Sequence, residues 1–96
     1  MTKDEIIKAI GDYATKGVNC LLEIKGDNKT YFVRFANIPI ELELEKFNNC
    51  VHYYEITDEN EETINKIPAD EIWDRRKPYI KIEIERIESV LFVCPQ

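Results

Sequence analysis

The sequence predicts an α+β domain: an N-terminal helix packed on a strongly bent antiparallel sheet of five to six strands that forms a small barrel. Residues 79–85 alternate strictly, so that three isoleucines face one way and three charged side chains face the other. A β-strand, whose side chains repeat every two residues, separates them in this manner. Residues 90–94 are apolar at every position, which is typical of a strand covered on both faces. An amphipathic pattern over residues 3–16 predicts the helix.

The composition fits one globular domain spanning residues 1–96. Apolar residues make up 44% of the chain and charged residues 33%, a balance that can build a single modest core. The run at residues 90–94 is far shorter than the roughly 20 apolar residues of a membrane-spanning helix. The first residues also lack the basic start and apolar stretch of a signal peptide. We therefore expect a cytoplasmic protein without a membrane segment.

The three cysteines, Cys20, Cys50 and Cys94, are odd in number and widely spaced. This pattern favours buried thiols in a reducing compartment over a disulfide framework. No two of them have the spacing of metal ligands, and the chain has a single histidine. The sequence predicts neither a metal site nor a cofactor.

Both ends of the helix can be located from local signals. Thr2 and Glu5 form a capping box, in which each side chain accepts a hydrogen bond from the backbone N–H of the other residue. Lys16 suits the negative end of the helix dipole, and Gly17 suits the left-handed conformation that ends many helices. We therefore expect the helix to span about residues 3–16.

A β-hairpin follows the helix. Apolar residues alternate with more polar ones over residues 18–24 and again over residues 30–36. Between them, residues 26–29 have turn chemistry, because Gly and Asn accept positive φ and the Asp27 side chain can bind the backbone that follows it. The strands of the sheet are expected to lie between residues 18 and 94.

The middle of the chain predicts further strands. Residues 38–44 carry apolar side chains at even positions and glutamates at odd ones, which predicts a continuation of the second strand beyond a bulge at Pro39. Another strand is expected over residues 51–56. It is followed by an acidic loop at residues 58–62 and by one helical turn within residues 67–73, since Pro is favoured at the first helical position.

The closing strands change phase. The inward isoleucines of the first strand are even-numbered, whereas Ile87, Leu91 and Val93 are odd-numbered. Because a slip of one residue reverses every side chain, a turn or sharp corner must lie near residues 85–89. Two short strands joined at that corner fit better than one long flat strand.

Residues 16–24 with the turn at 26–29, together with residues 80–93, resemble the Sm-like family of small β-barrels, and other SH3-like barrels share the pattern. The resemblance implies a helix followed by bent antiparallel strands, with assembly by pairing of edge strands. It also implies RNA binding at a polar loop after the third strand and at an Arg-Gly or Lys-Gly pair near the last corner. Here residues 86–89 contain no glycine, and Asn37 precedes Ile-Pro instead of the family's loop pattern. The resemblance therefore supports the fold more than RNA binding.

One basic and aromatic segment is a candidate ligand site, formed by Trp73, Arg75, Arg76, Lys77 and Tyr79. Stacking on the rings and phosphate contacts from the cations would suit a nucleotide or a single-stranded nucleic acid. The alternative is a solvated loop whose aromatics contact the core and whose cations pair with neighbouring acids. The net charge of −6 disfavours general nucleic-acid binding, which depends on neutralising phosphates.

Acidic side chains could form a surface for a basic protein partner, as in an inhibitor that occupies a nucleic-acid groove. The alternative is that these charges line the wet face of a sheet and keep an exposed edge soluble. The candidate residues are Glu41, Glu43, Glu45, Glu55 and Glu59.

The sequence predicts no catalytic site. Cys50 and His52 lie two apart on one strand, so their side chains start about 7 Å apart, too far for a nucleophile and its base. We therefore expect a non-enzymatic binding or adaptor protein that acts through its surface, with a protein partner or with copies of itself. Adjacent aromatics in two strands would leave Phe32 or Tyr54 for a helix or a partner subunit. The alternative function is nucleotide or nucleic-acid binding.

Overall fold

The computed structural model describes residues 1–67 and 79–92, which form an α+β fold with an N-terminal helix and a five-stranded antiparallel sheet. In chain order the elements are α1 (Lys3–Lys16), β1 (Cys20–Ile24), β2 (Thr30–Phe35), α2 (Ile40–Lys46), β3 (Cys50–Glu55), α3 (Glu61–Asn65), β4 (Ile80–Glu83) and β5 (Ile87–Phe92), with a 3-10 turn (Ile84–Arg86) between the last two strands.

Helix α1 begins and ends where the sequence predicts. The Thr2 hydroxyl accepts a hydrogen bond from the Glu5 N–H at 3.2 Å, and the Glu5 carboxylate accepts one from the Thr2 N–H at 2.9 Å. Gly17 closes the helix with φ 64°, in the left-handed region. The apolar face of α1 buries Ile6 and Ile10 against the sheet.

The same substitution at two glycines of this region is expected to have opposite effects. Gly17→Ala should lower the free energy of unfolding by about 1 kcal/mol, because a Cβ is strained at φ 64°. Gly11→Ala should raise it by about 0.5–1 kcal/mol, because Gly11 lies inside the helix. A Cβ at Gly11 would lie 3.4 Å from Ile40 Cγ2, an ordinary contact. Urea unfolding of both variants measures the two changes; unchanged or increased stability in Gly17→Ala would contradict this assignment of the helix end, and a loss in Gly11→Ala would contradict the expected gain inside the helix.

The five strands lie in the order β4-β3-β2-β1-β5, so the last two strands in sequence occupy opposite edges. In a flat sheet, four strand spacings of about 4.8 Å would separate these edges by about 19 Å. Only residues 84–86 connect them, and the Cα atoms of Glu83 and Ile87, four steps apart, are at most about 14 Å from each other. The sheet must therefore curl. It is not closed into a barrel, since β4 and β5 form no ladder with each other within the described ranges.

The concave side of the sheet, called here the inner face, carries the main core. It packs against α1 and receives alternate residues from every strand. The largest fully buried side chains on it include Leu22, Val33, Phe35, Val51 and Val90. The opposite side, called the outer face, carries a second and smaller apolar cluster centred on Tyr54, Ile56 and Ile64. Apolar clusters thus cover parts of both faces of the sheet. Because the outer cluster is small, polar side chains also lie on the outer face.

The β-hairpin and the buried thiols are confirmed. Strands β1 and β2 pair antiparallel, and the turn between them contains Gly26 at φ 79°. The Asp27 carboxylate accepts the Lys29 N–H at 2.9 Å, as the turn chemistry predicts. Cys20 and Cys50 are both buried free thiols, and burial raises the pKa of Cys20 to about 12. Cys94 lies outside the described residues.

The prediction of a strand and bulge over residues 38–44 is wrong, because residues 40–46 form helix α2. Alternating leucine and glutamate fits a strand by period, but both residues are strong helix formers and glutamate is depleted in strands. In the helix Ile40 and Glu43, three residues apart, are buried, while Leu42 faces solvent. Asn48 and Asn49, both at positive φ, then turn the chain into β3.

The corner between the closing strands is confirmed as the 3-10 turn of residues 84–86, at the start of the predicted region. The expected inward facing of Leu91 is wrong. Register shifts between Glu23 and Ile24, so Glu88 is an extra residue in β5 and Val90 faces the core instead. Because Leu91 is 46% and Phe92 47% exposed, this part of the apolar run is not covered on both faces.

Candidate functional site: the outer face and the sheet edges

The outer face is the part of the molecule on which polar and aromatic side chains gather. Arg34 of β2 lies opposite Tyr54 of β3, and His52 lies opposite Lys81 of β4. Because residues opposite each other in an antiparallel ladder point to the same face, these four side chains share it. Arg34 and His52 are buried, as is Glu43 of α2, which contacts His52.

The basic and aromatic segment falls mostly outside the described residues, namely Trp73, Arg75, Arg76 and Lys77. Tyr79 is described and half-buried. Its ring lies on the outer face, 4.3 Å from the Tyr54 ring and 6.4 Å from the His52 ring, measured between centroids.

Four of the five glutamates of the candidate partner surface are exposed, and one is not. Glu41 and Glu45 lie on α2, Glu55 ends β3, and Glu59 precedes α3. Glu43 is 1% exposed, so the expectation that it lines a wet face is wrong. It turns inward because residues 40–46 are helical, which places it on the same side of α2 as Ile40.

Glu43 and His52 form a buried pair that attaches α2 to β3. Glu43 Oε2 accepts the His52 backbone N–H at 2.9 Å and lies 3.0 Å from His52 Nδ1. The His52 carbonyl accepts the Ala36 N–H, and the N–H and C=O of one strand residue point to the same neighbouring strand. Strand β2 ends at Phe35, so beyond that point the Glu43 carboxyl group supplies the acceptor that β2 no longer provides.

Burial dominates the electrostatics of this pair. Desolvation raises the pKa of Glu43 to about 8, although the hydrogen bond from the His52 N–H opposes the shift. Desolvation and the charge of Lys81 lower the pKa of His52. Around neutral pH the pair therefore carries one shared proton and no net charge. The Cys50 thiol instead donates to the Asn48 carbonyl at 3.7 Å, so Cys50 and His52 are not arranged as nucleophile and base.

Because of the Glu43–His52 pair, we expect the free energy of unfolding to decrease as the pH rises from 6.5 to 8. The pKa of Glu43 is higher in the folded chain than in the unfolded chain. Its contribution to the free energy of unfolding is therefore complete below the unfolded-state pKa near 4.5 and is lost as the pH rises through the folded-state pKa of about 8. The lowered pKa of His52 acts only below 6.5, where it lowers stability as the pH falls. We expect a decrease of about 1–2 kcal/mol in the free energy of unfolding over this window. Glu43→Gln should abolish the decrease; an equal decrease in that variant would contradict the assignment.

A pocket of about 420 Å³ opens on the outer face near the C-terminal end of α1. Arg34 lines it and is 4% exposed. Its Nη1 donates to the Ile64 carbonyl at 2.8 Å, whereas its Nε is buried without a hydrogen-bond partner among residues 1–67 and 79–92. Sequence reasoning missed this residue: next to Phe32 and Val33, an arginine on the second face of a strand is indistinguishable from an ordinary solvated side chain.

The sheet edges carry exposed apolar side chains. Among residues 1–67 and 79–92, β4 and β5 each have a neighbouring strand on one side only. Ile80 of β4 is 39% exposed, and Leu91 and Phe92 of β5 are each nearly half exposed. Sequence reasoning assigned both residues to the core. Ile80 lies opposite Tyr53 and therefore points to the inner face as predicted, although it is partly exposed, whereas the predicted facing of Leu91 is wrong.

No protein-family model, curated protein or solved structure matches this chain. No helix in the described part of the chain is long and apolar enough to cross a membrane. Within the same residues, no group of three or more His, Cys, Asp or Glu side chains is arranged to hold a metal ion.

Proposed function

We propose that this chain is a non-enzymatic binding protein that assembles with copies of itself through its two sheet edges, with β4 of one copy pairing with β5 of the next. The observation that carries the proposal is the position of the exposed apolar side chains. Five large ones are exposed in the described part of the chain, and three of them, Ile80, Leu91 and Phe92, lie on the edge strands.

An edge strand offers unpaired backbone N–H and C=O groups to another strand, and soluble proteins normally protect such edges with charge or cover. Within residues 1–67 and 79–92 neither β4 nor β5 has a second neighbouring strand, and both edges carry exposed apolar side chains; on β5 the Val90 N–H donates to Met1 Sδ at 3.4 Å. Because β4 and β5 are different surfaces, their pairing is head-to-tail and generates a ring if the rotation closes. The curled sheet with a 3-10 turn between its edge strands supports a proposed relationship to the Sm-like or SH3-like folds, although the sheet itself is not closed into a barrel.

The acidic side chains give the assembly a second binding property. Glu41, Glu45, Glu55 and Glu59 are exposed, and the chain carries a net charge of −6. Such a surface complements a basic protein, so the assembly would act as an adaptor or an acidic inhibitor in the cytoplasm. Binding of a basic partner should weaken with salt, whereas apolar self-association should strengthen, because salt screens the repulsion between acidic copies.

The solution mass of edge variants tests the proposal. Leu91→Asp and Ile80→Asp should each weaken self-association by about 100-fold, because a charge would be buried in an apolar contact. Leu42→Asp is the matched control: Leu42 is 41% exposed but lies on α2, away from both edges. Sedimentation or light scattering over a concentration series measures the effect. Equal behaviour of all three variants would contradict the edge assignment.

Nucleotide or nucleic-acid binding by Trp73, Arg75, Arg76, Lys77 and Tyr79 stays a prediction. Of these residues only Tyr79 is described, and its ring packs on Tyr54. A salt-sensitive interaction with an oligonucleotide that is lost on changing Arg75 and Arg76 to Ala would favour this alternative.

A further inference from the structure

We propose that the Arg34 pocket binds a carboxylate carried on an apolar group, with an N–H donor beside it. This chemistry is that of an N-acylated apolar amino acid, either as a small molecule or as the C-terminal residue of a polypeptide. The proposal does not depend on self-association through the sheet edges, because Arg34 and Asn19, which define the ligand's polar groups, lie outside β4 and β5; Phe92 of β5 also lines the pocket.

The guanidinium of Arg34 has donors that the described residues do not use. An arginine carries five N–H donors, and within residues 1–67 and 79–92 Arg34 makes a single hydrogen bond, from Nη1 to the Ile64 carbonyl. The opposite edge of the guanidinium, formed by Nε and Nη2, is the edge that holds a carboxylate by two parallel hydrogen bonds. In the described part of the chain, Nε is buried without a hydrogen-bond partner and no carboxylate forms an ion pair with Arg34. A buried cation normally has such a partner, and a ligand carboxylate would supply it.

The remaining lining of the pocket defines the rest of the ligand. Phe32 and Phe92 line it together with Val18, so the walls are largely apolar. Asn19 also lines it: its Nδ2 donates to Asn65 Oδ1 at 2.8 Å, while no described residue donates a hydrogen bond to its buried Oδ1. Because an amide oxygen accepts hydrogen bonds, a ligand with an N–H group would complement Asn19 Oδ1. A volume of about 420 Å³ is within the range of sites for small molecules.

The charge balance favours a carboxylate over a phosphate. Among the described residues, Arg34 is the single cation that lines the pocket, and Glu61 lines it as well. A phosphate monoester carries a charge of about −1.5 to −2 at neutral pH, which one guanidinium does not neutralise beside a glutamate. A carboxylate carries one negative charge and matches the guanidinium geometry in two hydrogen bonds. The pocket therefore suits a monoanion with an apolar body.

Titration of the full chain with N-acetyl-leucine, followed by amide NMR shifts, tests the proposal. We expect shifts at Asn19, Phe32 and Arg34, and binding at least about tenfold weaker for the uncharged N-acetyl-leucine amide. Inorganic phosphate should not compete. A short peptide with a free C-terminal leucine and its amidated counterpart distinguish the two sources: tighter binding of the free-ended peptide than of N-acetyl-leucine identifies the end of a polypeptide as the ligand.

Variants of Arg34 test whether its guanidinium binds the ligand, and a variant of Arg86 is the control. Arg34→Met should abolish binding, whereas Arg86→Met removes an exposed arginine of the 3-10 turn and should leave the affinity unchanged. Arg34→Lys keeps the charge but not the two-pronged geometry and should bind at least about tenfold more weakly. If Arg34→Met does not fold, two other measurements test whether Arg34 binds the carboxylate: the affinity of Arg34→Lys, and the comparison of acid and amide on the unmodified chain. Equal binding of acid and amide, binding retained without Arg34, competition by phosphate, or no binding at all would overturn the proposal.

Discussion

Replacing Glu43 with alanine is expected to lower the free energy of unfolding by about 3 kcal/mol, a large part of the stability of a domain of this size. The substitution removes the acceptor of the His52 backbone N–H and the partner of His52 Nδ1. A buried donor left without a partner costs about 1–3 kcal/mol, and the vacated side-chain volume adds a cavity in a site that is 1% exposed. Urea unfolding measures the loss.

Matched glutamates on the same helix isolate the contribution of burial. Glu41→Ala and Glu45→Ala remove the same side chain from exposed positions of α2 and should change the free energy of unfolding by less than about 0.5 kcal/mol. Glu43→Gln keeps an acceptor near the His52 N–H and should lose less than Glu43→Ala. A loss below about 1 kcal/mol in Glu43→Ala, similar to the two exposed positions, would show that the pair does not hold α2 on β3.

Local chemistry made much of this fold predictable. The capping box of Thr2 and Glu5, the left-handed Gly17 and the Asp27 turn are all settled within a few residues of sequence, and each is found where the pattern indicates. The corner before β5 was also predictable, because a change of phase in an apolar repeat requires a turn or a bulge between its two parts.

The wrong predictions concern elements whose structure is determined by contacts with residues distant in the sequence. Residues 40–46 fit a strand by their period and a helix by their propensities, and the helix is further stabilised because Glu43 accepts the His52 N–H beyond the end of β2. Sequence alone does not show where β2 stops. The facing of Leu91 depends on an extra residue, Glu88, which is identified only through the pairing of β5 with β1.

The candidate site was the least predictable part. Arg34 alternates with apolar residues along β2, as a solvated residue on the wet side of a strand would. It is buried because α3, about 30 residues further along the chain, brings the Ile64 carbonyl to its Nη1. No pattern within β2 signals this contact. The acidic residues were easier to find, although their exposure depends on the elements that carry them.

The strongest functional prediction concerns the two sheet edges, which are expected to have complementary rather than identical roles. Ile80→Asp damages the β4 edge and leaves β5 intact, and Leu91→Asp does the reverse. Each variant alone therefore retains only one functional edge and cannot extend a head-to-tail assembly. Placing a carboxylate against an apolar contact costs several kcal/mol unless it is paired, so each variant should be monomeric at concentrations where the unmodified chain assembles.

An equimolar mixture of these two variants gives the most direct test of edge-to-edge assembly. The intact β5 edge of Ile80→Asp can pair with the intact β4 edge of Leu91→Asp, and the damaged edges then stop growth. Light scattering measures the mass of each sample. We expect a larger assembly for the unmodified chain, monomers for each variant alone, and a dimer for the mixture. A monomeric unmodified chain, or a mixture that stays monomeric, would contradict assembly through β4 and β5.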